Sequence, residues 1–251
     1  MPGSGTRIKN DAEGPRLSTQ HGQGVGRLLE QIFAGHQVVD LSLPLTEGMP
    51  YTAPRHFMPS NGKTEQLPLL AAAGPACVVD VTGLDAAQAG MSPRITPQHL
   101  EQWEAEHGAI DAGDVVLLRG GWDGHYLPGP PGRRYDDVLV SQTAPGWPAP
   151  TQEAIDWLRT RGVRCVGTDG FSIGPADDGA AAHLAALPHG VTFVEALAGL
   201  HRLPPRGAWF LFLPIRLAGG TGSPGRALAV LPDKRQDQQD QQDQEAEHEA
   251  A

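Results

Sequence analysis

The chain has 251 residues with 19 basic against 29 acidic side chains, a formal net charge of −10, 39% hydrophobic residues, 32 glycines and 23 prolines. Such a composition suits a loop-rich globular protein and leaves no basic patch for nucleic acid. No apolar run nears the roughly 20 residues a bilayer requires, and the polar N-terminal stretch lacks a secretory core, so a soluble cytoplasmic protein is expected.

Residues 1–24 and the acidic, Gln-rich 233–251 read as disordered, because neither stretch buries enough apolar surface to offset ordering. That tail carries seven acidic residues against Lys234 and Arg235, and so supplies −5 of the −10. Between them one domain is expected over 25–232. Val25, Leu28, Leu29 and Ile32 share one face of a helix over 25–33. A strand follows over 36–45, and a second β-rich run spans 74–84. Residues 95–108 predict a helix with Thr96 as N-cap, Pro97 at its first position and Gly108 at its end. A buried strand over 114–122 stops at two glycines, and a further helix is expected over 149–162, before a strand at 163–170. The segment 192–200 predicts a helix, 207–217 an apolar strand, and 219–231 a Gly-rich turn entering a final strand. Helices and strands alternate without the regularity of a doubly wound sheet, which points to a mixed α/β layered fold.

Several residues invite a chemical reading. The run GGTGSPGR at 219–226 lacks the Lys-Ser/Thr of a phosphate loop and leads into a strand, so it is read as a tight turn. Asp169 and Ser172 follow a strand in GTDGFSIG, where the Asp either caps local N–H groups or edges a site. Trp122 and Trp147 stand beside Gly-rich loops, where they line a pocket for an aromatic ligand or pack the core. Cys77 and Cys165 lie in apolar runs and are expected as buried free thiols. His183, in AAHLAAL, and Glu195, in TFVEALAGL, are both set among apolar residues. Buried charge is costly unless paired, so the two need one another or a cation, and imidazole with carboxylate is a usual ligand mix for zinc or manganese.

The ordered blocks VVDLSLPLTEGMP, APRHFMPSNGKTEQLPL, GPACVVDV, ITPQHLE, GDVVLLRGGW, APTQEAIDWLRTRGVRCVGTDGFSI, the His183-to-Glu195 segment and GGTGSPGRALAV extend over nearly all of 37–231. Together they resemble the cyclase family that contains bacterial kynurenine formamidase and isatin hydrolase. The resemblance implies the family's mixed-sheet, swivelling β/β/α fold, a homodimer or higher homo-oligomer, and divalent-metal-dependent hydrolysis of amide, lactam or lactone bonds in a small-molecule substrate. It implies metal-ligand roles for His183 and Glu195, which keep the family's twelve-residue spacing, and a proton-transfer role for His56. Substrate binding is assigned to Trp122 and Asp169. Pro54 and His56 match the end of the family signature His-x-Gly-Thr-His-x-Asp-x-Pro-x-His, but Thr52 stands at its Asp position and no His-x-Gly-Thr-His occurs in the chain. An impaired metal site is therefore expected, with missing ligands drawn from a partner subunit or from His36 or His125, which otherwise read as surface histidines. The alternative is a metal-free protein that binds or cyclises small molecules in the inherited pocket.

Overall fold

The computed structural model describes residues 36–43, 64–85, 88–126 and 128–232. The helix read over 25–33, both expected disordered ends, and Thr52, Pro54 and His56 lie outside them. All the regular elements belong to the unit Gln37–Ala251.

Among the described residues the strands are β1 (Gln37–Asp40), β2 (Ala73–Asp80), β3 (Arg94–Ile95), β4 (Val115–Arg119), β5 (Ala149–Pro150), β6 (Cys165–Thr168), β7 (Thr192–Val194), β8 (Trp209–Pro214) and β9 (Gly225–Leu231). The helices are α1 (Pro97–His107), α2 (Arg133–Leu139), α3 (Gln152–Thr160) and α4 (Gly179–Ala186). Seven strands form one mixed sheet in the order β1-β9-β8-β2-β4-β6-β7, and β3 pairs with β5 apart from it. The half β2-β4-β6-β7 is parallel, whereas β1, β9 and β8 are antiparallel and join it through β2.

The run VVLL in β4 is buried at every position, as expected of a parallel strand covered on both faces. Val116 and Leu118 meet Leu100 and Trp103 of α1 and Ile155 and Leu158 of α3. Val115 and Leu117 face the opposite side, against Phe210, Leu197 and Leu200. Each such fully buried large side chain contributes about 1.5–3 kcal/mol. The Trp103 indole also donates to Val78 O at 3.0 Å, which ties α1 to β2.

The expected ends of α1 are observed. Thr96 N–H donates to His99 Nδ1 at 3.0 Å, and Gly108 closes the helix at φ 89° with its N–H on Glu104 O. In α3, Thr151 Oγ1 accepts from Ala154 N at 3.2 Å, and the helix is shorter than expected because Ala149–Pro150 pairs with Arg94–Ile95 instead. The expected helix over 192–200 is corrected. Thr192, Phe193 and Val194 form β7 beside β6, and left-handed backbone at Ala196 (φ 60°) and Gly199 (φ 70°) prevents helical continuation. β-Branched Thr192 and Val194 suit an edge strand, and ladder pairing prevails over the helical preference of the alanines and leucines after them. Both cysteines are free and buried, as expected.

Candidate active site

His183 on α4 and Glu195 just past the end of edge strand β7 come together, and the local fold explains how. Small residues make up most of α4, GAAAHLAA, so the helix lies close to the sheet and His183 is only 6% exposed. Its Nδ1 is 2.7 Å from Gly179 O, one turn upstream. A carbonyl only accepts, so Nδ1 is assigned the proton. The ring's Nε2 lies 3.4 Å from Glu195 Oε1. Glu195 leaves β7 immediately before the left-handed turn at Ala196, and its Oε1 accepts from Ile173 N at 2.8 Å and Ser172 Oγ at 3.1 Å. Ser172 Oγ in turn accepts from Gly174 N. The Phe193 ring stands edge-on to the imidazole, with centroids 5.3 Å apart.

An imidazole and a carboxylate this close are held together either by a proton on Nε2 or by a cation between them. Two ligands each about 2.0–2.1 Å from one tetrahedral ion stand roughly 3.4 Å apart, and the His183–Glu195 separation has this value. Backbone acceptance of the second imidazole N–H is also the usual support of a metal-binding histidine. The pair therefore fits two ligands of a divalent cation. Among the described residues no group of three His, Cys, Asp or Glu side chains could hold a metal, and neither His36 nor His125, both half-buried, joins such a group. A groove of about 920 Å³ runs past the pair, where Phe193, Leu187, Val191 and Arg164 contribute to its wall.

Asp169 and the two tryptophans gather at the carboxyl ends of β4 and β6, the side of a parallel sheet where ligands commonly bind. Asp169 is 2% exposed. Its two oxygens accept from Gly120 N at 2.7 Å and Gly121 N at 2.8 Å, which locks the turn after β4 to the end of β6. Burial pushes its carboxyl up to about 6, against those N–H bonds, and the nearby Asp123 carboxylate pushes in the same direction as burial. These N–H groups belong to a distant turn and not to the loop that carries Asp169, so the bonds are a cross-strand tie and not local capping. Trp122 packs against Tyr135 and Trp147 with centroids 6.0 and 5.8 Å away, and the His125 ring lies 4.8 Å from it. Trp147 is 1% exposed and donates Nε1–H to Gly174 O at 3.1 Å. Tyr126, Tyr135 and Phe171 complete this aromatic cluster, and none of the three was legible as a site residue. The available signal was the concentration of aromatics between Trp122 and Phe171 in a chain with only 6% of them.

The family model described as "Putative cyclase" matches residues 39–175. The isatin hydrolase of Roseibium aggregatum is 32% identical over 198 residues, covering 74% of this chain and 71% of that protein. The kynurenine formamidase of Salinibacter ruber is 31% identical over 189 residues, covering 75% and 77%. A crystal structure of an isatin hydrolase bound to the product analogue thioisatinate superposes with a TM-score of 0.65 at 23% identity, over 86% of this chain and all of that one, which shows a common fold. The chain belongs to the cyclase family, related to isatin hydrolase and kynurenine formamidase.

Proposed function

We propose that the protein is a metal-assisted hydrolase of C–N bonds in small aromatic amides or lactams, with His183 and Glu195 holding the cation. The 3.4 Å approach of His183 Nε2 to Glu195 Oε1 carries this reading. The names of the related isatin hydrolase and kynurenine formamidases supply the substrate class. A divalent cation held there would supply Lewis acidity, polarising a carbonyl and making water nucleophilic near neutral pH.

The chain's own contribution is orientation. Gly179 O fixes the imidazole tautomer, while Ile173 N and Ser172 Oγ fix the carboxylate. Neither ligand needs to reorganise when a cation arrives. Phe193 shields the imidazole edge, which keeps bulk water from competing for it. Return of a proton to the leaving nitrogen belongs to His56 on the family resemblance, with a general acid near neutrality suited to the task.

Metal analysis of the untagged protein with an assay on isatin and an aryl formamide tests the reading. We expect zinc or manganese to be retained when supplied, hydrolysis of at least one substrate, and loss of both in His183→Ala. Protein that neither retains added metal nor hydrolyses either compound refutes it. That outcome favours the second reading, a metal-free small-molecule binder, whose support is the absence of His-x-Gly-Thr-His and the Thr52 in place of Asp.

A further inference from the structure

Two short strands stand apart from the main sheet, and the bonds around them suggest why they are kept. β3 and β5 pair only over Arg94–Ile95 and Ala149–Pro150, and an isolated two-stranded ladder has little stability of its own. Their flanks are nevertheless closely joined. Gly146 N donates to Met91 O at 2.8 Å and Ala149 N to Pro93 O at 3.0 Å. A Cβ on Gly146 would lie 2.7 Å from Ser92 Oγ and 3.0 Å from Ala176 Cβ. The last contact brings in a third segment, the one that runs from β6 into α4.

That segment supports one candidate ligand at each end. Ser172 Oγ and Ile173 N hold Glu195, and Gly179 O accepts from His183 Nδ1. Between these ends it is anchored from outside at three residues. Gly174 O accepts from Trp147 Nε1 at 3.1 Å, and Ala176 N donates to Ser92 Oγ at 2.9 Å. Asp177 takes the most bonds. Its Oδ1 accepts from Ser92 N at 3.0 Å and Arg94 Nη1 at 3.1 Å, and its Oδ2 accepts from Arg94 Nη2 at 2.6 Å. Arg94 Nη1 also donates to Ser92 O at 3.0 Å, so one guanidinium grips both segments. All three anchors come from β3, β5 or the residues just before them. A planar guanidinium on both oxygens of a carboxylate fixes direction as well as distance. The Arg94 and Asp177 side chains are 33% and 24% exposed, and partly solvated pairs add little to global stability. What this pair contributes is geometry.

We propose that Ser92 and Arg94 are positioning residues: through Ala176 and Asp177 they set the Gly179 carbonyl, and with it the direction in which His183 faces Glu195. The proposal deepens the metal-ligand reading, on which it rests for what the pair would hold. The brace itself acts on the imidazole with or without a cation. Neither the family match nor the names of the relatives assign such a role.

Exchange of the His183 Nδ1 proton in metal-free protein, followed by NMR, tests the brace directly. A proton bonded to Gly179 O in a buried corner exchanges only when the corner opens. Ser92→Ala should speed its exchange about threefold and Arg94→Met about tenfold, with Arg94→Lys between the parent and Arg94→Met because lysine keeps the charge and loses the fork. The amides of Val116 and Leu117, which lie in the sheet centre, should change less than about twofold. Zinc affinity of the same variants, read by competition with a chromophoric chelator, should fall about three- to tenfold. Should Arg94→Met fail to fold, Ser92→Ala and Arg94→Lys decide alone. Unchanged exchange at His183 overturns the proposal, as does a parent proton that exchanges too fast to be seen. Equal acceleration at Val116 and Leu117 overturns it too, since that marks only a loss of global stability. So does zinc bound by the parent and held equally well by every variant. If exchange responds as expected but the parent binds no zinc, the brace stands and the hydrolase reading falls.

Discussion

Replacing Asp169 with asparagine separates the cost of its buried charge from the value of its hydrogen bonds. The carboxylate is nearly inaccessible and is held by two backbone N–H groups, yet burial dominates and raises it from the ordinary 3.8 to about 6. An acid raised in the folded state contributes most stability below its unfolded value, and that contribution is lost as pH rises through the folded value. With these two values the parent loses about 2 kcal/mol from this group between pH 4.5 and pH 7. Asparagine does not titrate, but it turns one amide N–H toward a glycine N–H at a cost of about 1–3 kcal/mol. Asp169→Asn should therefore be clearly less stable than the parent at pH 4.5 and close to it at pH 7. The relative gain of about 2 kcal/mol amounts to roughly 4–8 °C in a domain of this size. Melting curves of both proteins at the two pH values give the double difference, in which other titrating groups cancel. A constant gap, or one that widens as pH rises, would refute the claim that burial governs this carboxyl.

Two further outcomes follow from the same packing. A Cβ on Gly174 would run into the backbone of Gly179, 2.6 Å from its Cα, so Gly174→Ala should cost about 1–3 kcal/mol as overpacking. It should also weaken metal retention, because it displaces the carbonyl that fixes His183; a variant with unchanged melting and metal content contradicts this. Burial pushes the Cys77 and Cys165 thiols up to about 12, with Asp114 adding to the effect at Cys77. Ellman's reagent should find no reactive thiol in the native protein and two after denaturation, whereas rapid native labelling would show that one of them is accessible.

The strands of the sheet centre were legible because their covering demands a specific pattern. VVLL in β4 and the run ending β2 are apolar on both faces, and α1 announces itself through Thr96, Pro97 and Gly108. The region of the site was harder to read. TFVEALAGL has the residues of a helix, and only its pairing with Cys165–Gly167 makes its start a strand. GAAAHLAA carries no amphipathic stripe, because the face it buries is as small and apolar as the rest, so α4 escaped notice. The His183–Glu195 association was nevertheless accessible, since two ionisable groups in apolar runs have few other ways to be tolerated. Tyr126 and Tyr135 were not, because a buried phenol and a buried phenyl ring are indistinguishable until the hydroxyl's neighbours are known.

The supports of the His183–Glu195 pair also explain how it can persist in a chain without the first two-thirds of the family signature. Gly179 O, Ile173 N and Ser172 Oγ all come from residues 172–179, which run from just beyond β6 into the first turn of α4. None belongs to the segment where Thr52, Pro54 and His56 lie. The orientation of these two side chains is therefore set by backbone around the parallel sheet and not by the signature segment. On the proposed reading, the signature would add further coordination, which governs how tightly a cation is held rather than where it sits. On that same reading, loss of signature residues would therefore weaken metal occupancy while preserving the place of binding.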